Sequence, residues 1–233
     1  MRKKIAIIPA RGGSKRIPRK NIRTFRGRPL ISYSIDALLK SNIFDEIFVS
    51  TEDNEIEEIA RNLGASVPFK RPNHLAGDRV LTVPVIADFV EKLKLEDDAV
   101  VCCLYATAPL VQSQDLLRAY AELFKEPAAD YVCAVSRYGY PIQRALRKEE
   151  DFFEMVDQSS LEKFSQELEE RFHDAGQFYF ALAQTWKRQL PMLQNTRGIE
   201  LPSWRVQDID TWEDWERAEI LYDILNSKSE SAN

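Results

Sequence analysis

Short apolar runs that alternate with stretches of helical period constrain this chain more than any other feature. Lys4–Pro9, Glu46–Ser50, Ala99–Leu104 and Tyr131–Val135 each read as a buried strand. Between them, Pro29–Lys40, Asp53–Leu63, Val80–Leu95 and Ser113–Phe124 carry helical spacing, the last with a capped start. Pro29 falls in the first turn of its helix, where a missing N–H costs nothing. Asp53 stands at an N-cap position and Gly64 where a helix commonly stops. Repeated β-α units of this length imply an α/β fold, a mostly parallel sheet with helices on both faces. Ligands of such sheets bind beyond the carboxyl ends of the strands, near the switch in strand order.

From about Gly139 the rhythm changes. Pro141–Asp157 is polar and irregular, and Ser160–Arg171 is strongly charged and reads as helical. An arm over residues 139–171 that covers a second subunit and an ordinary surface excursion both account for the aromatics there. Gln177–Leu182 reads as a returning strand, and Thr211–Leu225 as a closing amphipathic helix capped by Thr211. Trp212 and Trp215, three apart, are expected to dock on the sheet, and all four tryptophans to serve packing. The chain reads as one domain over 1–226 with a frayed tail over 227–233.

Charge narrows the function classes. Thirty-two Lys and Arg against 37 Asp and Glu give a net charge of −5, which argues against a general nucleic-acid binder. The apolar run after Met1-Arg-Lys-Lys is too short for a signal-peptide core, and no run approaches a membrane span. Cys102, Cys103 and Cys133 all lie in apolar segments and read as buried reduced thiols, so a cytoplasmic location is expected.

Against that acidic background, the loop after the first strand holds Arg11, Lys15, Arg16, Arg19 and Lys20 with Gly12, Gly13 and Ser14. Glycines allow backbone N–H groups to approach phosphate, and the cations offset its charge. A solvated basic surface is the competing reading. The spacing matches neither G-x-x-x-x-G-K-[ST] nor G-x-G-x-x-G. Asp208 and Asp210 sit two apart in an extended-looking stretch, so their carboxylates share a face. They read either as oxygen ligands for a divalent ion such as Mg²⁺, or as an exposed acidic edge with Asp210 in the cap of the next helix. His173-Asp-Ala-Gly-Gln-Phe-Tyr179 suits a sugar pocket, although a lone histidine is more often structural and Gln177 could simply satisfy backbone groups.

Ile8-Pro-Ala-Arg-Gly-Gly-Ser-Lys-Arg-Ile-Pro-Arg-Lys-Asn21 closely resembles the N-terminal signature of the acylneuraminate cytidylyltransferases, the CMP-sialic acid synthetase family. The resemblance continues through Val49-Ser-Thr-Glu-Asp53, Pro68-Phe-Lys-Arg-Pro72, Leu75-Ala-Gly-Asp78, Ala106-Thr-Ala-Pro109 and Asp208-Ile-Asp210. It implies the Rossmann-like fold of the nucleotide-diphospho-sugar transferases, with a projecting dimerisation arm. It also implies transfer of CMP from CTP to the anomeric hydroxyl of a nonulosonic acid. On that resemblance Arg11 and Lys20 bind the triphosphate and take part in catalysis. Ser14 and Asn21 lie along the nucleotide, Ala10, Gly12, Gly13 and Lys15 complete its loop, and Arg71 sits near base and ribose. Asp208 and Asp210 hold Mg²⁺. The His173–Tyr179 stretch resembles the branch acting on pseudaminic acid, and Tyr105 stands where sialic acid enzymes carry glutamine. The acceptor pocket is therefore expected from Tyr105, His173, Asp174, Gln177 and Tyr179. N-acetylneuraminic or legionaminic acid as acceptor, a 3-deoxy-octulosonate enzyme and a non-catalytic nucleotide binder are the alternatives. Family members are commonly homodimers.

Overall fold

In the computed structural model, which describes residues 2–230, the first strand ends where the basic loop begins. β1 (Lys4–Pro9) is followed by a tight hairpin of β2 (Thr24–Phe25) and β3 (Arg28–Pro29), which turns at Arg26 and Gly27, φ 41° and 84°. Pro29 pairs with Thr24 in this hairpin and so lies outside α1 (Ile31–Ser41), a correction to its expected place in the first helical turn. β4 (Glu46–Ser50) leads into α2 (Asn54–Asn62). The Asp53 carboxylate caps α2 by accepting from the N–H groups of Glu55 and Ile56, and Gly64 follows it at φ 92°.

α3 (Thr82–Lys92) and β5 (Val100–Leu104) precede α4 (Ser113–Glu122), whose N-cap residue Gln112 donates its N–H to the Asp115 carboxylate at 3.2 Å. β6 (Tyr131–Arg137) opens the divergent segment. Pro141–Asp157 contains a regular hairpin, β7 (Leu146–Glu149) and β8 (Phe152–Met155), rather than irregular chain. The expected helix over Ser160–Arg171 is replaced by two 3-10 turns, at Gln158–Ser160 and Ser165–Glu167. β9 (Phe172–Leu182), α5 (Ala183–Lys187), β10 (Thr196–Glu200) and α6 (Trp212–Glu230) complete the chain. Thr211 caps α6 by a bond from the Asp214 N–H, as anticipated. The helix is assigned to Glu230, beyond its expected end at Leu225; 231–233 lie outside the described residues.

The sheet has the order β4-β1-β5-β9-β6-β10. Every neighbouring pair is parallel except those made by β9, which runs against both β5 and β6. Alternation sorts the side chains: Ala6 and Ile8 face a core built with α1, α2 and α4, while Ile5 and Ile7 face one built with α3 and α5. All four are fully buried, and each isoleucine contributes about 2–3 kcal/mol of burial free energy. The three cysteines are buried and unpaired.

A third, smaller core joins Ile17, Phe25, Tyr33, Ile209 and Trp215 beside the sheet. Trp215 therefore packs on the β2–β3 hairpin, through an edge contact with Phe25 at 5.4 Å, and not on the sheet. Trp212 is half exposed beneath the Arg23 guanidinium, which lies 4.5 Å from its ring. No helix among the described residues is long and apolar enough to cross a membrane.

Candidate active site

The basic loop is fixed from inside. Ile17 is fully buried in the third core, and the Asn21 amide donates to the Arg11 carbonyl at 2.9 Å, closing the loop on itself. Gly12 is required by close approach: a Cβ there would come within 2.4 Å of Asp53 Oδ2 and 3.0 Å of Arg19 Nη1. Its N–H donates to Glu52 Oε1 at 2.7 Å, so this amide already has a carboxylate partner. The expected open cradle of glycine amides is thus filled in part by the protein's own acid.

The five cations divide three ways. Arg19, at φ 57°, turns back to Asp53 (2.5 and 2.8 Å) and Glu55 (2.5 Å) and serves the start of α2. Arg11 and Lys15 both pair with Asp78, Lys15 at 2.5 Å. Arg16 and Lys20 both pair with Asp210, at 2.7 and 3.2 Å.

These groups border an open cleft of about 350 Å³ at the carboxyl end of β1, in the size range of small-ligand sites. Arg11, Ser14, Lys20, Asn21 and Arg71 line it, with Asp210 and Tyr105. Ala10, Gly12, Gly13 and Lys15 do not line it; Lys15 reaches its edge only through Asp78. Arg71 is buried and donates to Ser50 Oγ at 3.1 Å and to the Ser50 carbonyl. Desolvation lowers its pKa to about 10, which leaves it cationic at neutral pH. Tyr105 comes from the end of β5, and its hydroxyl lies 2.7 Å from Thr82 Oγ1 at the start of α3. Burial pushes that phenol well above its ordinary pKa, so it stays protonated.

Asp208 and Asp210 flank Ile209, whose full burial in the third core turns both carboxylates the other way. Lys20, from the basic loop, donates to the Ile209 carbonyl and so joins the two segments directly. Asp208 leans over Gly176, where a Cβ would stand 3.6 Å from its Cγ. One side of Asp208 is exposed; the protein packed around the other side, and then the charge of Asp210, raise its carboxyl above the usual range. Asp214 accepts from the Asp210 N–H at 3.1 Å, so the Asp210 backbone joins the start of α6 while its carboxylate faces the cleft. The described residues contain no group of three or more His, Cys, Asp or Glu able to hold a metal. Two carboxylates remain a fitting partial set for Mg²⁺, which takes one or two protein carboxylates and fills its shell with phosphate and water oxygens.

The remaining expected acceptor residues lie on β9, behind the cleft wall. A register shift against β6 makes Ala175–Phe178 bulge between the pairs Val135–Asp174 and Cys133–Tyr179. Asp174 accepts from the Gly176 N–H at 2.9 Å and from the Tyr179 hydroxyl, and the Tyr179 ring meets Tyr105 edge-on at 5.6 Å. Gln177 is 1 % exposed and donates to the Arg205 carbonyl at 2.9 Å, which is the backbone-satisfying alternative. His173 packs edge-on against Tyr138 at 5.0 Å, at the root of the divergent segment. None of these four lines the cleft. Among the lining residues that sequence reasoning gave no site role are Arg16, Asp78 and Thr82. Arg16 was visible as one of the five loop cations, and Asp78 as the end of a recognised motif that carried no assignment. Thr82 had no signal of its own.

Taken as a whole, the chain is similar to proteins of known family. A family model described as cytidylyltransferase matches residues 5–217. A pseudaminic acid cytidylyltransferase of Campylobacter jejuni is 43% identical over 226 residues, 95% of this chain and 97% of that protein. A Helicobacter pylori protein named pseudaminic acid cytidylyltransferase and UDP-2,4-diacetamido-2,4,6-trideoxy-beta-L-altropyranose hydrolase is 37% identical over 206 residues, 88% of this chain and 40% of that one. Among solved structures, a CMP:2-keto-3-deoxy-manno-octonic acid synthetase complexed with CTP superposes with a TM-score of 0.70. It is 18% identical, with 94% of this chain and 98% of that one covered, and supports the fold. The chain belongs to the cytidylyltransferase family.

Proposed function

We propose that this protein transfers CMP from CTP to the anomeric hydroxyl of pseudaminic acid. The observation that carries the reading is one cleft at the end of β1 where the basic loop and Asp210 meet, in a chain 43% identical to a pseudaminic acid cytidylyltransferase. The anomeric oxygen forms a bond to the α-phosphorus. The bond from that phosphorus to the β-bridging oxygen breaks, its electron pair leaves with pyrophosphate, and the hydroxyl gives up its proton. Charge builds on the departing pyrophosphate, and fixed cations lower the barrier by meeting it there. Arg11 and Lys20 fill that role, with Lys15 and Arg16 beside them and Ser14 and Asn21 along the nucleotide. Arg71, held by Ser50, faces the nucleoside. When bound at Asp208 and Asp210, Mg²⁺ supplies charge to the phosphate oxygens and lowers the pKa of a hydroxyl it touches.

Tyr105 forms the acceptor wall, with Asp174 and Tyr179 holding it from behind. The segment 139–171, with its exposed aromatics, covers a second copy of the chain in a homodimer, and the reaction takes place in the cytoplasm, where the three thiols stay reduced. The test is pyrophosphate release from CTP and Mg²⁺ with pseudaminic, legionaminic or N-acetylneuraminic acid. Release with pseudaminic acid is expected; release only with another of the three would overturn the acceptor. Asp210→Asn is expected to abolish most turnover while CTP still binds, because Arg16 and Lys20 lose their intramolecular partner but keep their charge.

A further inference from the structure

The segment that carries Asp208 and Asp210 belongs to no sheet or helix, yet it is anchored on both sides. Downstream, Ile209 is buried and Asp214 holds the Asp210 and Thr211 N–H groups. Upstream, Arg205 extends a fork into the protein to Asp115, a carboxylate only 2 % exposed on α4. Nη1 is 3.4 Å from Oδ1, and Nη2 bonds Oδ2. Asp115 also accepts the Gln112 N–H at 3.2 Å, at the start of α4. The chain just before that start supplies Ala106 and Thr107 to the cleft. Gln177, from the β9 bulge beneath Asp208, holds the Arg205 carbonyl.

Stability alone is a poor account of this joint. A buried ion pair gains little over apolar residues of the same volume, because desolvation offsets its attraction. The joint also leaves Gln177 Oε1 and Arg205 Nε buried with no partner, a deficit that a packing contact would not carry. What a two-pronged guanidinium–carboxylate pair adds is fixed direction.

We propose that Arg205 and Asp115, with Gln177, are positioning residues that set the acidic pair against the opposite wall of the cleft. The inference rests on the metal reading of Asp208 and Asp210 given above. Partners of this kind, mutated one layer behind a metal's ligands, typically cost about 10–100-fold in metal affinity or activity. Two variants separate positioning from support. Arg205→Lys keeps the charge and loses the fork. The double variant Arg205→Met with Asp115→Leu keeps apolar volume and loses the pair, and is expected to melt within a few degrees of the parent.

Mn²⁺ binding in the presence of CTP, followed by electron paramagnetic resonance, is measured with kcat and the KM for CTP. In both variants Mn²⁺ affinity and kcat are expected to fall about tenfold or more while the KM for CTP moves by less than about threefold. A folded double variant with unchanged Mn²⁺ affinity and kcat overturns the positioning role. So does a fall in kcat that persists at full size when either variant is combined with Asp210→Asn. If the parent protein binds no Mn²⁺ with CTP, the metal reading has failed. The combination with Asp210→Asn then still decides whether Arg205 acts through the acidic segment.

Discussion

Four loop cations in the free protein share two carboxylates, and this determines what a triphosphate meets on arrival. Asp78 holds Arg11 and Lys15, and hydrogen bonds from both depress its carboxyl to a pKa of about 2, so it is ionised wherever the enzyme works. An entering phosphate therefore competes with Asp78 for the same donors. Asp78→Asn removes the competitor and adds one unit of net positive charge to the loop. CTP is expected to bind roughly two- to fivefold more tightly by calorimetry at low salt, and the gain should shrink as ionic strength rises. Weaker binding would show instead that Asp78 stays with the nucleotide and supports it. Asp53 gives a second test at this scale. Its hydrogen bond from Arg19 lowers its carboxyl from the ordinary 3.8 to about 2. A depressed folded-state pKa means stability that is complete above the unfolded value and lost as pH falls through the folded one. Urea unfolding should show about 1–2 kcal/mol from Asp53 disappear between pH 4 and pH 2, and Asp53→Asn should flatten that limb.

At the scale of elements, strands with one-sided or continuous apolar runs were legible, and β1 and β4 matched to the residue. Helix caps with a local mechanism, Asp53 and Thr211, were legible too, because a side chain three residues or fewer from its partner N–H leaves a local pattern. Charge density misled the reading of Ser160–Arg171 as a helix. The tertiary contacts there, such as Arg144 donating to the Lys163 carbonyl at 2.8 Å, favour single turns over a continuous ladder. The early half of β9 was missed for a different reason. Its Phe172–Gly176 stretch is polar and contains a glycine at φ 60°, and only the pairing with β6 makes it a strand. Gly176→Ala tests that bulge. The added methyl would meet Asp208 at ordinary contact distance, so the penalty is conformational, about 1 kcal/mol, and a melting temperature about 2–4 °C lower is expected. A larger loss, together with lower turnover, would mean that the bulge also displaces Asp208.

Over the whole molecule, the place of the cleft followed from topology: an α/β sheet presents its ligands at strand ends, and the basic loop marked which strand. Its far wall followed only in part: Asp210 came with the family resemblance, whereas Thr82 and Asp78 reach the cleft from segments that carried no site assignment. The divergent segment is the other feature that only the assembled chain explains. Among the described residues β7 and β8 pair with each other and with no third strand, and a lone two-stranded hairpin is marginal in water. Phe152, Phe153, Val156 and Phe164 are each more than half exposed around it. Exposed aromatics on such a hairpin gain stability when a second surface covers them, and the proposed homodimer provides one. Replacing residues 146–155 with a short glycine linker should convert a sedimenting dimer to a monomer. It should leave the melting of the domain nearly unchanged, since the sheet and the three cores draw nothing from these strands. If the shortened protein still sediments as a dimer, the interface lies elsewhere, and the exposed aromatics of the hairpin need another partner.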